Sequence, residues 1–266
     1  MCIDSTKGRV LMEDAVLLAQ TQITPRLYLA TFRCPQVSAV VKPGQFVHLQ
    51  IPDMEGHMLR RPISVYQVDA ESGVMVLLYQ VVGFGSDALT RVPDGSVVNM
   101  LGPIGQGWVA PEGLSRVLFV MGGVGAAPLY LFAKELTAAG VEIDVMMGAQ
   151  TEAALACREA YEDLDNAHVT CCTDDGSYGI SGFCTVPAAE MMAKNQYDLV
   201  VSCGPKPVMA AAAKSAAEHG IPCQVSMEEH MACGIGACLG CIVATTEGNK
   251  RSCVDGPVFD AAKVVW

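Results

Sequence analysis

Hydrophobic positions in the first hundred residues fall in short alternating runs, each closed by turn-forming residues. The runs Val10–Leu18, Arg26–Phe32, Gln45–Ile51, Ile63–Tyr66, Val74–Val82 and Ser96–Leu101 are separated by breakers such as Lys42-Pro43-Gly44, Pro52-Asp53, Glu71-Ser72-Gly73 and Pro93-Asp94-Gly95. Alternation with a period of two places apolar side chains on one face of a strand, so this region, residues 8–110, predicts a small antiparallel barrel or sandwich. From Leu114 the texture changes. Val117–Met121, Val141–Met147, His168–Cys172, Leu199–Cys203 and Cys223–Met227 are apolar runs of the kind a strand shows when both faces are covered. Helical stretches at Leu129–Ala139, Glu152–Glu162, Pro187–Lys194 and Lys206–Glu218 alternate with them. That order predicts a parallel sheet flanked by helices over residues 114–227, with Pro111-Glu112-Gly113 as the hinge. Residues 228–266 form a third, cysteine-bearing segment with a short hairpin.

Composition narrows the functions. Only 17% of the 266 residues are charged, fewer than in an average globular chain, which points to a surface partly covered by a partner. The net charge of −11 argues against nucleic acid or an anionic membrane, both of which call for clustered Lys and Arg. The start, Met1-Cys2-Ile3-Asp4, lacks the basic flank and apolar run of a signal peptide. The longest uncharged run, Val117 to Ala133, contains glycines and a proline and is shorter than the roughly 20 residues that span a bilayer. A cytoplasmic protein is expected.

The 12 cysteines divide into two groups. Cys2, Cys34, Cys157, Cys171, Cys172, Cys184, Cys203 and Cys223 are scattered among apolar residues and read as small buried hydrophobes. Cys233, Cys238, Cys241 and Cys253 are clustered, in the spacing C-x4-C-x2-C followed by a fourth after a hairpin over Ile242–Ser252. This is the spacing of plant-type [2Fe–2S] ferredoxins. Gly234, Gly236 and Gly240 allow a backbone curled tightly enough to turn thiolates and N–H groups inward. Structural zinc is the rival, although its usual second C-x2-C knuckle is missing.

Two further patterns suggest a nucleotide. Gly122-Gly123-Val124-Gly125-Ala126-Ala127-Pro128 follows an apolar strand and opens a helix, so its amides would face an anion. It does not have the G-x-G-x-x-G spacing. Asp174-Asp175-Gly176 and Cys203-Gly204-Pro205 also fall after parallel strands, on the edge where open α/β sheets bind ligands. In the barrel, Arg61-Pro62-Ile63-Ser64 offers a guanidinium suited to a phosphate, and Gly83-Phe84-Gly85-Ser86 further amides.

Together these motifs resemble the ferredoxin-reductase superfamily, and within it the electron-transfer subunits of two-subunit, NAD-dependent dihydroorotate dehydrogenases of bacteria. The most specific stretches are Glu228–Cys238, Asp255–Phe259 and Thr173–Gly179. The resemblance implies FAD on the barrel, held by Arg61, Pro62, Ile63 and Ser64, lined by Leu78, Tyr79 and Gln80, with Gly85 and Ser86 at its pyrophosphate. It implies NAD(H) over the sheet edge at Gly122, Gly123, Gly125, Pro128, Asp174, Asp175, Gly176, Cys203, Gly204 and Pro205. It further implies a [2Fe–2S] cluster on the four late cysteines, and an FMN-containing catalytic subunit in a heterotetramer of two plus two. A nicotinamide gives up two electrons together and such a cluster takes one, so a flavin belongs between them. No side chain is needed as nucleophile or general acid. His230 departs from the arginine that the resemblance leads one to expect. Reductase subunits of a ferredoxin:NADP+ transhydrogenase or a sulfhydrogenase, and a zinc-stapled interaction module, remain alternatives.

Overall fold

The computed structural model describes residues 10–54 and 56–266; Cys2 and the expected domain start at Gly8 lie outside them. Strands β1 (Leu11–Thr24), β2 (Leu27–Arg33), β3 (Phe46–Gln50), β4 (Arg61–Asp69), β5 (Val74–Gln80) and β6 (Val97–Ile104) close into an antiparallel barrel in the order β1-β2-β5-β4-β3-β6. Two short helices, α1 (Pro35–Ser38) and α2 (Phe84–Leu89), sit on its rim. Alternation does the sorting. Val47, Leu49, Ile63, Val65, Met75, Leu77 and Tyr79 point inward and form one core, while Ser64, Leu78 and Gln80 occupy the opposite parity. β1 runs past the expected end at Leu18, because its polar outer half pairs with β2 through Thr24↔Leu27.

The second unit is a sheet on β7 (Arg116–Gly122), β8 (Glu142–Ala149), β9 (Ala167–Thr173), β10 (Ile180–Ser181), β11 (Leu199–Cys203) and β12 (Cys223–Ser226), all parallel. Helices α3 (Ala127–Ala138), α4 (Arg158–Glu162), α5 (Thr185–Lys194) and α6 (Lys206–Glu218) connect the strands, and separate apolar clusters fill the two faces. The helix expected over Glu152–Glu162 is broken. A 3-10 turn at Glu152–Ala154 leads to Cys157 at φ 65°, and regular helix begins only at Arg158. The interruption lets Leu155 and Cys157 pack on the core while Arg158 lies 4.4 Å from the Tyr178 ring.

The third segment carries the hairpin β13 (Ile242–Thr245) and β14 (Gly248–Arg251) and then a strand the sequence pattern did not foretell, β15 (Val258–Asp260). β15 pairs antiparallel with β12 and ends the sheet. Trp108 donates its indole N–H to the Pro128 carbonyl (2.9 Å), tying the barrel's exit to the start of α3. No helix among the described residues is long and apolar enough to cross a membrane.

One buried polar group in the sheet makes a stability prediction. Asp144 is 3% exposed and accepts hydrogen bonds from Arg116 Nε (2.9 Å) and the Tyr197 hydroxyl (2.6 Å). Burial and this carboxylate hold the Tyr197 phenol well above its usual range. Asp144→Ala leaves the buried Tyr197 hydroxyl without its acceptor, while Arg116 keeps Glu142 and solvent, and is expected to cost about 2 kcal/mol, measured by denaturant unfolding. A change below about 1 kcal/mol would count against the pairing.

Candidate functional site

The C-terminal ends of β7, β9 and β11 bring the three expected loops to one edge. Two of them interlock. A Cβ added to Gly125 would lie 2.4 Å from the Cys203 carbonyl oxygen, and one on Gly204, at φ 146°, would lie 2.8 Å from the Gly122 nitrogen. Pro205 packs against Gly122, so backbone sits directly on backbone. The glycines are there because nothing larger fits. The Cys203 thiol is 1% exposed and faces the Ser226 carbonyl at 3.9 Å, and burial pushes it well above the ordinary thiol range. Its backbone, not its sulfur, therefore shapes the edge.

The acidic loop is tied down locally. Asp175 accepts from the Ser177 hydroxyl (2.6 Å) and amide (2.9 Å), and these bonds hold its carboxyl below the usual range. Asp174 and Asp175 donate their backbone N–H groups to Ala149 and Gln150, which joins this loop to the one after β8. Gly176, at φ 72°, makes the turn. An exposed loop with its own carboxylate already engaged presents polar groups without collapsing onto them.

On the barrel, Arg61 stands at the start of β4 and folds over α2. A Cβ on Gly85 would lie 1.7 Å from Arg61 Nε, and the guanidinium donates to the Leu59 carbonyl at 2.5 Å. Ser86 accepts from the Val82 and Gly83 amides at 2.9 and 3.2 Å, fixing the turn before α2. Met58, Leu59, Val82 and Phe84 are all exposed beside the arginine, and the His57 and Phe84 rings stack at 4.3 Å. An exposed apolar surface around one cation fits a ligand with a large ring system and a phosphate. Pro62 and Ser64 share the outward parity; Ile63 lies in the barrel core. Tyr79 also points into that core, donating its hydroxyl to Gln20 Oε1 (2.7 Å), so only its backbone faces outward. Leu78 is buried between the barrel and the sheet unit, and Gln80 is half-buried at the strand end.

The four late cysteines converge as two pairs. The Cys238 amide donates to Cys233 Sγ at 3.4 Å, and the side chains of these two residues interact. Cys241 and Cys253, 2% and 4% exposed, contact one another and pack on Phe46 and Ile104 of the barrel. The curl is built as expected at Gly234 (φ 68°) and Gly236 (φ 81°), and also by Leu239 at φ 58°. Burial pushes the Cys233 thiol up, but the amides of Ile235, Cys238 and Ala237 and the Cys238 side chain outweigh it and hold the thiol down at about 6. Burial and the neighbouring Cys241 push Cys253 up to about 12. Cys233 is thus held towards the thiolate, the form in which sulfur binds a metal. A two-iron group needs two thiolates per metal, and the cysteines lie as two side-chain pairs, Cys233 with Cys238 and Cys241 with Cys253. Of the scattered cysteines in the described residues, all are buried except the half-buried Cys157.

The sequence reading does not single out Arg251, Gln106 or His48. Arg251 donates to Asp255 through its amide (2.9 Å) and Nε (3.2 Å), and to the Gly236 carbonyl through its guanidinium (3.3 Å). The Gln106 amide donates to the Gly256 carbonyl. The Asp255–Phe259 stretch therefore staples the cysteine loop to both larger units. His48, on β3, is fully buried against Gly234; its only sequence signal is a polar residue set between Val47 and Leu49 on the face it shares with Phe46.

Comparison with known proteins gives three family matches in chain order. Residues 14–108 match the oxidoreductase FAD-binding domain and residues 119–214 the oxidoreductase NAD-binding domain. Residues 228–265 match the iron–sulfur cluster binding domain of dihydroorotate dehydrogenase B. The chain is 38% identical over 261 residues to the dihydroorotate dehydrogenase B (NAD(+)) electron transfer subunit of Desulforamulus reducens, covering 95% of this chain and 98% of that one. It is 37% identical to the subunit of the same description from Bacillus caldolyticus, again covering 95% and 98%. The solved structure of an NADH-dependent reduced ferredoxin–NADP oxidoreductase superposes with a TM-score of 0.85 at 30% identity, over 97% of this chain and 91% of that one. The ferredoxin reductase of carbazole 1,9a-dioxygenase, 20% identical with a TM-score of 0.67 over 80% and 67%, shares the fold.

Proposed function

Because the chain belongs to the family of dihydroorotate dehydrogenase B (NAD(+)) electron transfer subunits, we propose that it carries electrons from the FMN of a catalytic partner to NAD+ during the oxidation of dihydroorotate to orotate in pyrimidine biosynthesis. FAD, NAD(H) and a [2Fe–2S] cluster are its cofactors. When bound, the flavin exchanges two electrons at once with a nicotinamide and single electrons with iron, which is the conversion this relay needs. The observation that carries the reading is the pairing of Cys233 with Cys238 and Cys241 with Cys253 in a loop packed on the barrel wall next to β4, where Arg61 to Ser64 lie.

The polypeptide's part is placement. Arg61 holds the FAD phosphates, with Gly85 leaving room for its guanidinium and Ser86 holding the turn; Pro62, Ser64, Leu78, Gln80 and the Ile63 and Tyr79 backbone form the flavin's wall. Gly122, Gly123, Gly125 and Pro128 shape the nicotinamide nucleotide site together with Gly204, Pro205 and the Cys203 backbone, and Asp174, Asp175 and Gly176 border it. Residues 8–110, 114–227 and 228–266 act as the flavin, nucleotide and cluster units. Ile235 and Leu239 are exposed beside the thiols, where an apolar surface suits a partner that must come close to the iron. We place two copies of this chain with two of the FMN subunit. The 11 free cysteines among the described residues suit a reducing compartment, the cytoplasm.

Anaerobically purified complex tests this directly. It should contain two irons and one FAD per copy of this chain, and reduce NAD+ on addition of dihydroorotate. One zinc per chain, or copurification with a hydrogenase or transhydrogenase core, would overturn it. Arg61→Ala should weaken FAD retention about 10- to 100-fold, the range expected for losing a charge-assisted phosphate contact, as read by flavin titration of the apoprotein.

A further inference from the structure

We propose that His48 donates a ring N–H to a sulfur of the iron–sulfur group and thereby raises its reduction potential. The imidazole is fully buried, and among the described residues neither ring nitrogen has a hydrogen-bond partner. Val47 and Leu49 on either side point into the barrel, so His48 points out of it, on the face it shares with Phe46. That face is the one the cysteine loop covers, through Phe46 and Ile104 against Cys241 and Cys253. His48 lies under the other end of the loop. Its Nδ1 would be 2.8 Å from a Cβ on Gly234, the residue after Cys233, so the ring fills the space a side chain there would take.

A buried imidazole without partners is costly: an unsatisfied polar group of this kind loses about 1–3 kcal/mol relative to a solvated one. Phenylalanine or leucine would pack against Ile104 and Gly234 without that cost. The polar ring is accounted for if its partner is a group the polypeptide itself does not supply, and the group at this loop is the sulfur-rich cluster. Burial, Arg60 and Arg61 keep the ring neutral, so it carries one N–H; the Arg60 backbone lies near the ring but outside hydrogen-bond geometry. The tautomer protonated on Nδ1 turns that N–H toward the loop. Hydrogen bonds to cluster sulfurs favour the more negative, reduced form, so the contact shifts the potential upward. His48 thus tunes the cluster by direct contact, an assignment that rests on the iron–sulfur reading of the four cysteines.

The test is a redox titration of the intact two-subunit complex, followed by the paramagnetic signal of the reduced cluster, for wild type, His48→Phe and His48→Asn. With His48→Phe, iron content is unchanged and the oxidised-to-reduced ratio at fixed potential rises about tenfold, a downward shift of roughly 59 mV for one electron. His48→Asn keeps an N–H donor and recovers at least half of that shift. A His48→Phe midpoint equal to wild type overturns the inference, as does an equal shift in both variants, which would mark a packing effect. Loss of iron from both overturns it as well, because the role assigned is tuning and not assembly. Absence of the signal from wild type would instead defeat the iron–sulfur reading itself.

Discussion

Cys241→Ser is expected to abolish electron delivery between this chain and its catalytic partner while leaving NADH oxidation by an artificial dye within about twofold of wild type, since only one of the two half-reactions uses the iron. Cys241 and Cys253 are the buried pair, seated on Phe46 and Ile104 away from solvent. A serine hydroxyl keeps its proton at neutral pH and is a hard donor, so it does not replace a thiolate on iron. Two irons held by three thiolates fall out of the loop, and dihydroorotate-dependent NAD+ reduction drops by about 100-fold or more. The flavin and nucleotide units lie on other strands, and their activity survives. Iron analysis, the visible spectrum and the two assays on one sample decide it. Retention of two irons with normal partner-dependent turnover would remove Cys241 from the ligand set. Parallel loss of dye reduction would mean that the loop supports the flavin unit as well.

Much of this was legible from the chain because the signals are local. Barrel and sheet follow from period-two alternation against continuous apolar runs, and the cysteine spacing is a property of twenty-one consecutive residues, Cys233 to Cys253. What stayed hidden is nonlocal. β15 is three residues long and exists because β12 offers it an edge, which no window around Val258 reveals. The segment Glu152–Glu162 has helical composition, yet packing of Leu155 and Cys157 on the core and of Arg158 on Tyr178 favours a left-handed residue at Cys157. Tyr79 reads as a flavin-lining aromatic from its motif, but counting parity from Met75 and Leu77 already sends its ring inward. His48 is the instructive omission. A polar residue in register with Phe46 on a strand flanked by Val47 and Leu49 signals a barrel wall covered on both sides, and the cover comes from residues almost two hundred positions away.

Gly125→Val is expected to remove nucleotide-dependent activity selectively. The Cβ of any side chain at 125 falls 2.4 Å from the Cys203 carbonyl oxygen, 2.6 Å from its carbon and 2.8 Å from Gly204 Cα, all backbone atoms that cannot swing aside. Valine adds two methyl groups to that clash, so the β7 turn and the Cys203-Gly204-Pro205 loop must separate, and Gly204 is itself locked against Gly122. Parting the loops displaces the amides at the start of α3 by the ångström or so that costs about 100-fold in a positioned reaction. NADH-dependent dye reduction should fall by that factor, and unfolding stability by about 1–3 kcal/mol, the usual cost of overpacking. Gly123 is the internal control. It has φ 54° but nothing within 4 Å of its Cβ position, so Gly123→Ala meets only backbone strain of about 1–2 kcal/mol and no collision. Neither substitution reaches the thiol loop, so the iron content and midpoint of the cluster stay at wild-type values in both. If Gly125→Val turned over NADH normally, the interlocked loops would have no part in holding the nucleotide; if Gly123→Ala failed equally, the damage would come from a general loosening of the turn and not from the contact with Cys203.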